Sequence, residues 1–302
     1  MEIIINLNTL FSENLRQVLL QAFVVGLLTA ICAAILGVPL VLKRYSMIGD
    51  GLSHMGFSAL AIAAVLGVSQ ENTMYVTMIL VVAAAIILLL LSESGKIKGD
   101  AAIAMLSTGA VAAGYIIYCL AGIGAGDVCS SLFGSAILAL DGGDVTLSVV
   151  LAVGVILVFV LLFSKIFAVT FDTAFARSAG THVSFYNILI AVLTAVTIVV
   201  GMKMIGSIMI SALTVFPPLT AMRVCKRFKS VIILSAVISA VCFILGLLFA
   251  AVVEFEFSRI GVVSLPVGPC VVAFNALAFL LTAGIQKTAH ALMRKRVTAK
   301  AN

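Results

Sequence analysis

The 302-residue sequence predicts an all-α polytopic membrane protein of about nine transmembrane helices, and three observations carry that expectation. The first is composition. Apolar residues make up 63% and charged residues 10% of the chain, against roughly 45–50% and about 25% in an ordinary soluble domain. A water-facing surface cannot be built from thirty charges, so a soluble enzyme, a disordered chain and a disulfide scaffold are excluded. The second is punctuation by polar residues and glycine, which leaves apolar runs near the ~20 residues that cross a bilayer. The third is the placement of Lys and Arg, which mark alternate connections.

In order, the runs fall at 17–42, 52–68, 73–92, 101–122, 145–163, 184–202, 206–222, 230–253 and 267–286. The second is short. Only a few residues around Lys203 separate the sixth from the seventh, so those two either merge, form a partly re-entrant pair or cross separately. With the C-terminus in the cytoplasm, every one of the 18 Lys and Arg except Arg16, Lys203 and Arg259 is cytoplasmic. An eight-span arrangement strands a basic cluster outside, so the expectation is nine spans, N-terminus out and C-terminus in. The whole chain, 1–302, then forms one membrane domain. It has an outer N-terminal segment (1–16), a cytoplasmic loop (164–183) and a basic cytoplasmic tail (287–302). Glu2, Glu13 and Arg16 do not make the basic start of a cleavable signal peptide. Trp is absent, leaving Tyr and Phe for any interfacial belt.

The net charge of +6 fits cytoplasmic loops of a membrane protein better than nucleic-acid binding. Cys32, Cys119, Cys129, Cys225, Cys242 and Cys270 are widely spaced and form no CxxC, so they read as small apolar residues. No GxxxxGK[ST], HExxH or GxSxG is present. The chain is therefore not expected to be an enzyme, and any pumping must draw energy from another subunit.

Ionisable residues within spans cost about 2.5–3.5 kcal/mol each on insertion scales, which makes each one a functional candidate. The main cluster is Met47-Ile-Gly-Asp-Gly-Leu-Ser-His-Met-Gly56. Asp50 and His54, four apart, share a helix face, so a carboxylate and an imidazole can reach one divalent ion. Ser53 and Ser58 add hydroxyls, and Gly49, Gly51 and Gly56 permit close approach. In the competing reading Asp50 is an N-cap and His54 a hydrogen-bonded core residue. Two ligands are also too few for a tetrahedral site, and a homodimer axis would supply two more. Pro217-Pro218 in the seventh span predicts a kink with free carbonyls near Leu213 and Thr214; it either lines a path or serves packing. In the cytoplasmic loop, Phe171, Phe175 and Ala179 fall on one face of a short helix that also holds Asp172 and Arg177, with Gly180 as its stop. An apolar stripe there lies on lipid or docks a partner, and its few basic residues fit docking better.

These segments, in this order, resemble the permease subunits of bacterial ATP-binding-cassette importers for zinc, manganese and iron(II). The matching pieces are Lys43–His54, Leu132-Phe-Gly-Ser135, Phe171–Gly180, Ile205–Pro217 and Leu265-Pro-Val-Gly268, spread over about 15–285. The resemblance implies the all-helical fold shared with vitamin B12 importers. It implies that Asp50 and His54 coordinate the ion in transit, and that Asp172, Ala176 and Gly180 belong to the loop that docks into the ATPase. Partners so implied are an ATP-binding-cassette ATPase that holds the ATP, an extracytoplasmic metal-binding protein, a second copy of the permease and membrane lipid, with no nucleic acid. No cofactor is held permanently, and the transported ion is zinc or manganese. The location implied is a bacterial cell membrane. The sequence departs from the family at Pro218, at the longer Glu254–Ser264 connection, read as a solvated loop, and at Met55-Gly56-Phe57, which favours zinc. The alternatives are a siderophore or cobalamin permease, a proton-coupled secondary metal transporter and a scaffold with no transport path.

Overall fold

The computed structural model describes residues 2–5, 13–93, 99–122, 142–257 and 261–301. Cys129 and the Leu132–Ser135 piece lie outside the described residues. In lipid every backbone polar group must be satisfied within its own segment, and each apolar run accordingly forms a helix. The helices are α1 (Glu13–Leu42), α2 (Ile48–Val65), α3 (Gln70–Glu93), α4 (Gly99–Leu120), α5 (Gly142–Leu161), α6 (Phe163–Phe171), α7 (Thr173–Ser178), α8 (Val183–Ile205), α9 (Ser207–Val224), α10 (Phe228–Val252) and α11 (Val267–Ala301). Eight of them are long and apolar enough to cross a membrane. The ninth candidate is α5 with α6, a pair bent by 68° at Leu162.

The sixth and seventh runs do not merge. Gly206 separates α8 from α9 with φ of +93°, a conformation open to glycine and strained for other residues. Residues 287–301 of the basic tail are helical, because α11 continues without a break to Ala301. At 1.5 Å per residue its 35 residues span about 52 Å, longer than the ~30 Å hydrocarbon core, so the helix projects beyond the membrane.

One element was not expected from the sequence. Glu2–Ile5 (β1), Val253–Phe257 (β2) and Gly261–Ser264 (β3) form an antiparallel sheet in the order β1-β2-β3. Ile3 stands opposite Phe255, and Phe255 opposite Val263. The Glu254–Ser264 connection is thus a hairpin paired to the N-terminus, not an irregular loop. The pairing also constrains topology, because it holds the start of α1 and the end of α10 on one side of the membrane. The number of crossings between them must then be even. Among the described helices, α1, α2, α3, α4, α5, α8, α9 and α10 lie between those two points, and with α11 the described helices supply up to nine candidate crossings.

The helices pack as two groups. α1, α9, α10 and α11 form one, and α2, α3, α4 and α8 the other, with α1 and α9 meeting α2 and α8 along a seam. Small residues let backbones approach both within the first group and across the seam. A Cβ on Gly37 would lie 2.1 Å from the Thr214 carbonyl oxygen, and one on Gly49 2.5 Å from the Thr214 hydroxyl. Pro217 and Pro218 sit in this contact, both buried. They remove the donors that would have reached the Leu213 and Thr214 carbonyls, yet α9 remains one helix through both. The freed Thr214 carbonyl lies against Gly37 of α1, so the double proline serves close packing of α9 on α1. Of the described cysteines, Cys32, Cys242 and Cys270 are buried, Cys225 is half-buried, Cys119 is exposed, and all are free thiols.

Candidate functional site

Asp50 and His54 lie in the first turns of α2, the least apolar of the eight single-helix spans. The capping explanation for Asp50 fails. The N-cap of α2 is Met47, which makes no side-chain cap, and Asp50 stands inside the first turn. Its Oδ2 is instead 3.5 Å from Nε2 of His54, with side-chain exposures of 46% for Asp50 and 26% for His54. The carboxylate is therefore reachable, while the imidazole is mostly enclosed. Nδ1 of His54 is buried and has no hydrogen-bond partner among the described residues. A buried ring nitrogen without a partner is rare, and it marks a group whose binding capacity is not used by the fold.

The packing of α2 explains why the pair is held there. Ser53 donates to the Asp50 carbonyl at 2.8 Å and meets the Ser211 hydroxyl of α9 at 3.1 Å. Ser211 also interacts with the Asp50 carboxylate. On the opposite side Gly51 abuts Ile103, and Ser58 donates to the Ala110 carbonyl, both on α4. Asp50 and His54 are thus fixed on a helix clamped between α4 and α9, beside the seam. Ser211 was not singled out in the sequence. The available signal was a run of hydroxyls, Ser207, Ser211, Thr214 and Thr220, inside an otherwise apolar span. Ser58 packs rather than joining the pair. No group of three or more His, Cys, Asp or Glu gathers among the described residues, so one chain offers two ligands of this kind and no complete cage.

Met55, Gly56 and Phe57 bear on packing alone. Met55 is buried, Gly56 lies against Met202, and the Phe57 ring is 5.1 Å from that of Tyr118. None of these contacts reaches the Asp50–His54 pair.

The 164–183 loop is two helices, not one. α6 ends at Phe171, Asp172 turns the chain in an extended conformation, and α7 begins at Thr173. Phe171 and Phe175 are 58% and 64% exposed, but the bend puts them on different helices, so the expected single stripe is divided. Asp172 caps α7, accepting a hydrogen bond from the Phe175 amide at 2.9 Å. Ala176 is fully buried with Val169 and Val183, whereas Arg177 is exposed. At the C-terminal end the amides of Gly180 and Thr181 donate to the carbonyls of Arg177 and Ala176, and Gly180 has φ of +74°. This is the glycine stop expected, in its Schellman form. The loop is therefore a built elbow that displays Phe171, Phe175 and Arg177, and shapes itself with Asp172, Ala176 and Gly180.

If Asp172 acts through its cap, Asp172→Asn, which caps equally well, is expected to keep metal uptake by the assembled transporter within about twofold of the unmodified rate. Asp172→Ala loses about 1 kcal/mol of cap and is expected to lower that uptake several-fold. Equal loss in both variants would instead assign Asp172 a charge contact with the partner.

A bundle of membrane-crossing helices with an Asp–His pair at an internal seam, and an elbow of two short helices at Phe163–Ser178, is an arrangement suited to the membrane-embedded subunit of a transporter. Comparison with known proteins agrees. Residues 16–286 match the ABC 3 transport family, and the chain belongs to it. It is similar to the manganese import system permease protein ScaB of Streptococcus parasanguinis, with 29% identity over 94% of this chain and 98% of that one. A probable metal transport system membrane protein of Thermotoga maritima is 31% identical over 86% of each chain. Among solved structures, PsaBC from Streptococcus pneumoniae superimposes with a TM-score of 0.74 at 26% identity, covering 91% of this chain and 93% of that one. Proteins of this class are permease subunits of ATP-binding-cassette transporters, in which a separate subunit hydrolyses ATP. The family resemblance read from the five sequence pieces is correct.

Proposed function

We propose that the chain imports a divalent first-row metal ion, with manganese(II) as cargo, through a path that passes Asp50 and His54. The observation that carries this is the 3.5 Å Asp50–His54 pair, partly open and placed beside the seam between helix groups. One of its two ligands is a carboxylate, and the Ser211 hydroxyl, 3.1 Å from that of Ser53, stands beside it. Carboxylate and other oxygen donors suit manganese, whereas a site built on imidazole leans toward zinc. Similar permeases carry manganese in their names, ScaB of Streptococcus parasanguinis and MntC of Halalkalibacterium halodurans among them. YfeD of Yersinia pestis, 27% identical, belongs to a chelated iron system. Zinc, favoured in the sequence from Met55–Phe57, is set behind manganese because the named relatives carry manganese more often.

The chain works as a homodimer in this reading. Two copies supply two Asp and two His, which replace much of the hydration shell that a metal ion cannot shed in hydrocarbon without compensation. An extracytoplasmic binding protein delivers the ion to the side bearing the β-sheet. The ATPase docks on α7 at the opposite face. The basic residues assign that face to the cytoplasm, so the N-terminus lies outside a bacterial cell membrane and the C-terminus inside. Alternating access then moves the two helix groups about the seam.

The cargo is tested by initial rates of uptake in proteoliposomes holding the permease, its ATPase and the binding protein. ATP-driven manganese(II) uptake is expected to exceed zinc(II) uptake at equal free concentration. Faster zinc uptake, or zinc acting as the better competitor, would reassign the cargo.

A further inference from the structure

The elbow touches both helix groups, on two different surfaces. Toward α8 it packs through the small cluster of Val169, Ala176 and Val183, with Tyr186 against it. Toward α10 it packs through rings. Phe163, Phe167 and Phe171, each four residues from the next, place three aromatic rings along one face of α6. All three converge on a single side chain, Phe228, with ring centroids 5.5, 5.3 and 5.6 Å away. The Phe171 contact is edge-to-face at 85°, and the Lys229 ammonium stands 5.7 Å from the centre of the Phe163 ring. Phe228 is the first residue of α10 and is 7% exposed.

From there α10 is laced to α1 along its length. Ser235 donates to the Ala34 carbonyl at 3.2 Å and Ser239 to the Ala30 carbonyl at 2.8 Å. Further along, Gly26 of α1 lies directly on the Phe243 ring. At the far end α10 runs into β2, which pairs with β1 ahead of α1. A displacement delivered at Phe228 is therefore delivered to a continuous unit reaching the opposite face of the membrane, whereas the Val169–Val183 contact delivers to the group that holds Asp50.

We infer that the α6–α7 elbow is a wedge set between the two helix groups, and that Phe228 is the joint through which it drives the α1–α10 unit relative to α2 and α8. Phe228 is a positioning residue: it touches neither metal nor nucleotide, and its ring converts movement of the elbow into opening or closing of the seam beside Asp50. Aromatic contacts add about 0.5–1.5 kcal/mol per pair beyond their buried area, and three share one ring here. The inference rests on the permease reading above and adds the element that transmits the work of the ATPase.

The test is the ratio of manganese(II) ions taken up to ATP hydrolysed, measured on the full complex in proteoliposomes. Residues along a coupling network change coupling enough to shift such ratios by about tenfold. Phe228→Ala is expected to lower the ratio by about that factor while ATP hydrolysis continues. Phe228→Tyr, which keeps the ring, is expected to restore it to within about twofold. If Phe228→Ala does not assemble with the ATPase, Phe167→Leu removes one ring of the same joint at a side chain 43% exposed, and the ratio is again expected to fall. An unchanged ratio in whichever of these variants assembles would overturn the joint, as would failure of Phe228→Tyr to restore coupling lost in Phe228→Ala. If the unmodified complex showed no ATP-driven uptake at all, the permease reading itself would fall, a result distinct from loss of coupling in the variants alone.

Discussion

Replacing His54 by Ala is expected to reduce metal uptake at least about 100-fold, while the protein still inserts and still binds its ATPase. Changes to groups that only support metal ligands already cost about 10–100-fold, and His54 is placed here as a ligand itself. The imidazole is 26% exposed and its second nitrogen has no hydrogen-bond partner among the described residues, so the substitution breaks no hydrogen bond of that nitrogen, and the correction for permease amount takes up the packing lost with the ring. Asp50→Asn should produce a loss of similar size for another reason. It keeps the shape and the chance of a hydrogen bond to Ser211, but removes the charge that compensates a divalent cation in a poorly polar environment. Uptake assays with radioactive manganese(II) in cells, corrected for the amount of permease in the membrane, measure both effects. If either variant transported at the unmodified rate, the ion would not pass through this pair.

The second large effect is expected at Ala176, and it separates shaping of the elbow from docking on it. Ala176 is fully buried against Val169 and Val183. A carboxylate there has no partner and no water, and an unpaired buried charge costs several kcal/mol. Ala176→Asp is therefore expected to undo the elbow and to abolish co-purification of the ATPase from membranes, with the spans intact. Arg177→Ala, at an exposed position in the same short helix, should leave the permease fold untouched. Normal ATPase binding by Ala176→Asp would mean that the folded elbow is not what the partner recognises.

The spans were legible in the sequence because membrane crossing leaves a signal in every stretch of about 20 residues. The Asp50–His54 pair was legible because ionisable residues in lipid have to be explained. Gly180 was legible as a helix stop because only a glycine takes that φ without strain. What escaped has a common physical cause, which is that its information is non-local. β1 pairs with a strand some 250 residues away, and four residues of Glu-Ile-Ile-Ile carry no mark of their partner. Phe228 gains its three aromatic neighbours only when α6 folds back at Leu162, a bend with no proline or glycine to announce it. Ala176 and Asp172 matched a docking motif, but a motif does not say which members face the partner and which hold the loop in shape. Pro217-Pro218 announced freed carbonyls, but not that Gly37 of α1 would lie against the one at Thr214.

As the permease of an ATP-binding-cassette transporter, this chain is expected to move a metal ion only when a separate ATPase works on it. The most direct measurement is manganese(II) uptake into proteoliposomes made with the permease and binding protein, in parallel with and without the ATPase and its ATP. Uptake is expected in the complete system, and none above leak when either the ATPase or ATP is left out. Equal uptake in vesicles lacking the ATPase would contradict this and would make the chain a secondary transporter.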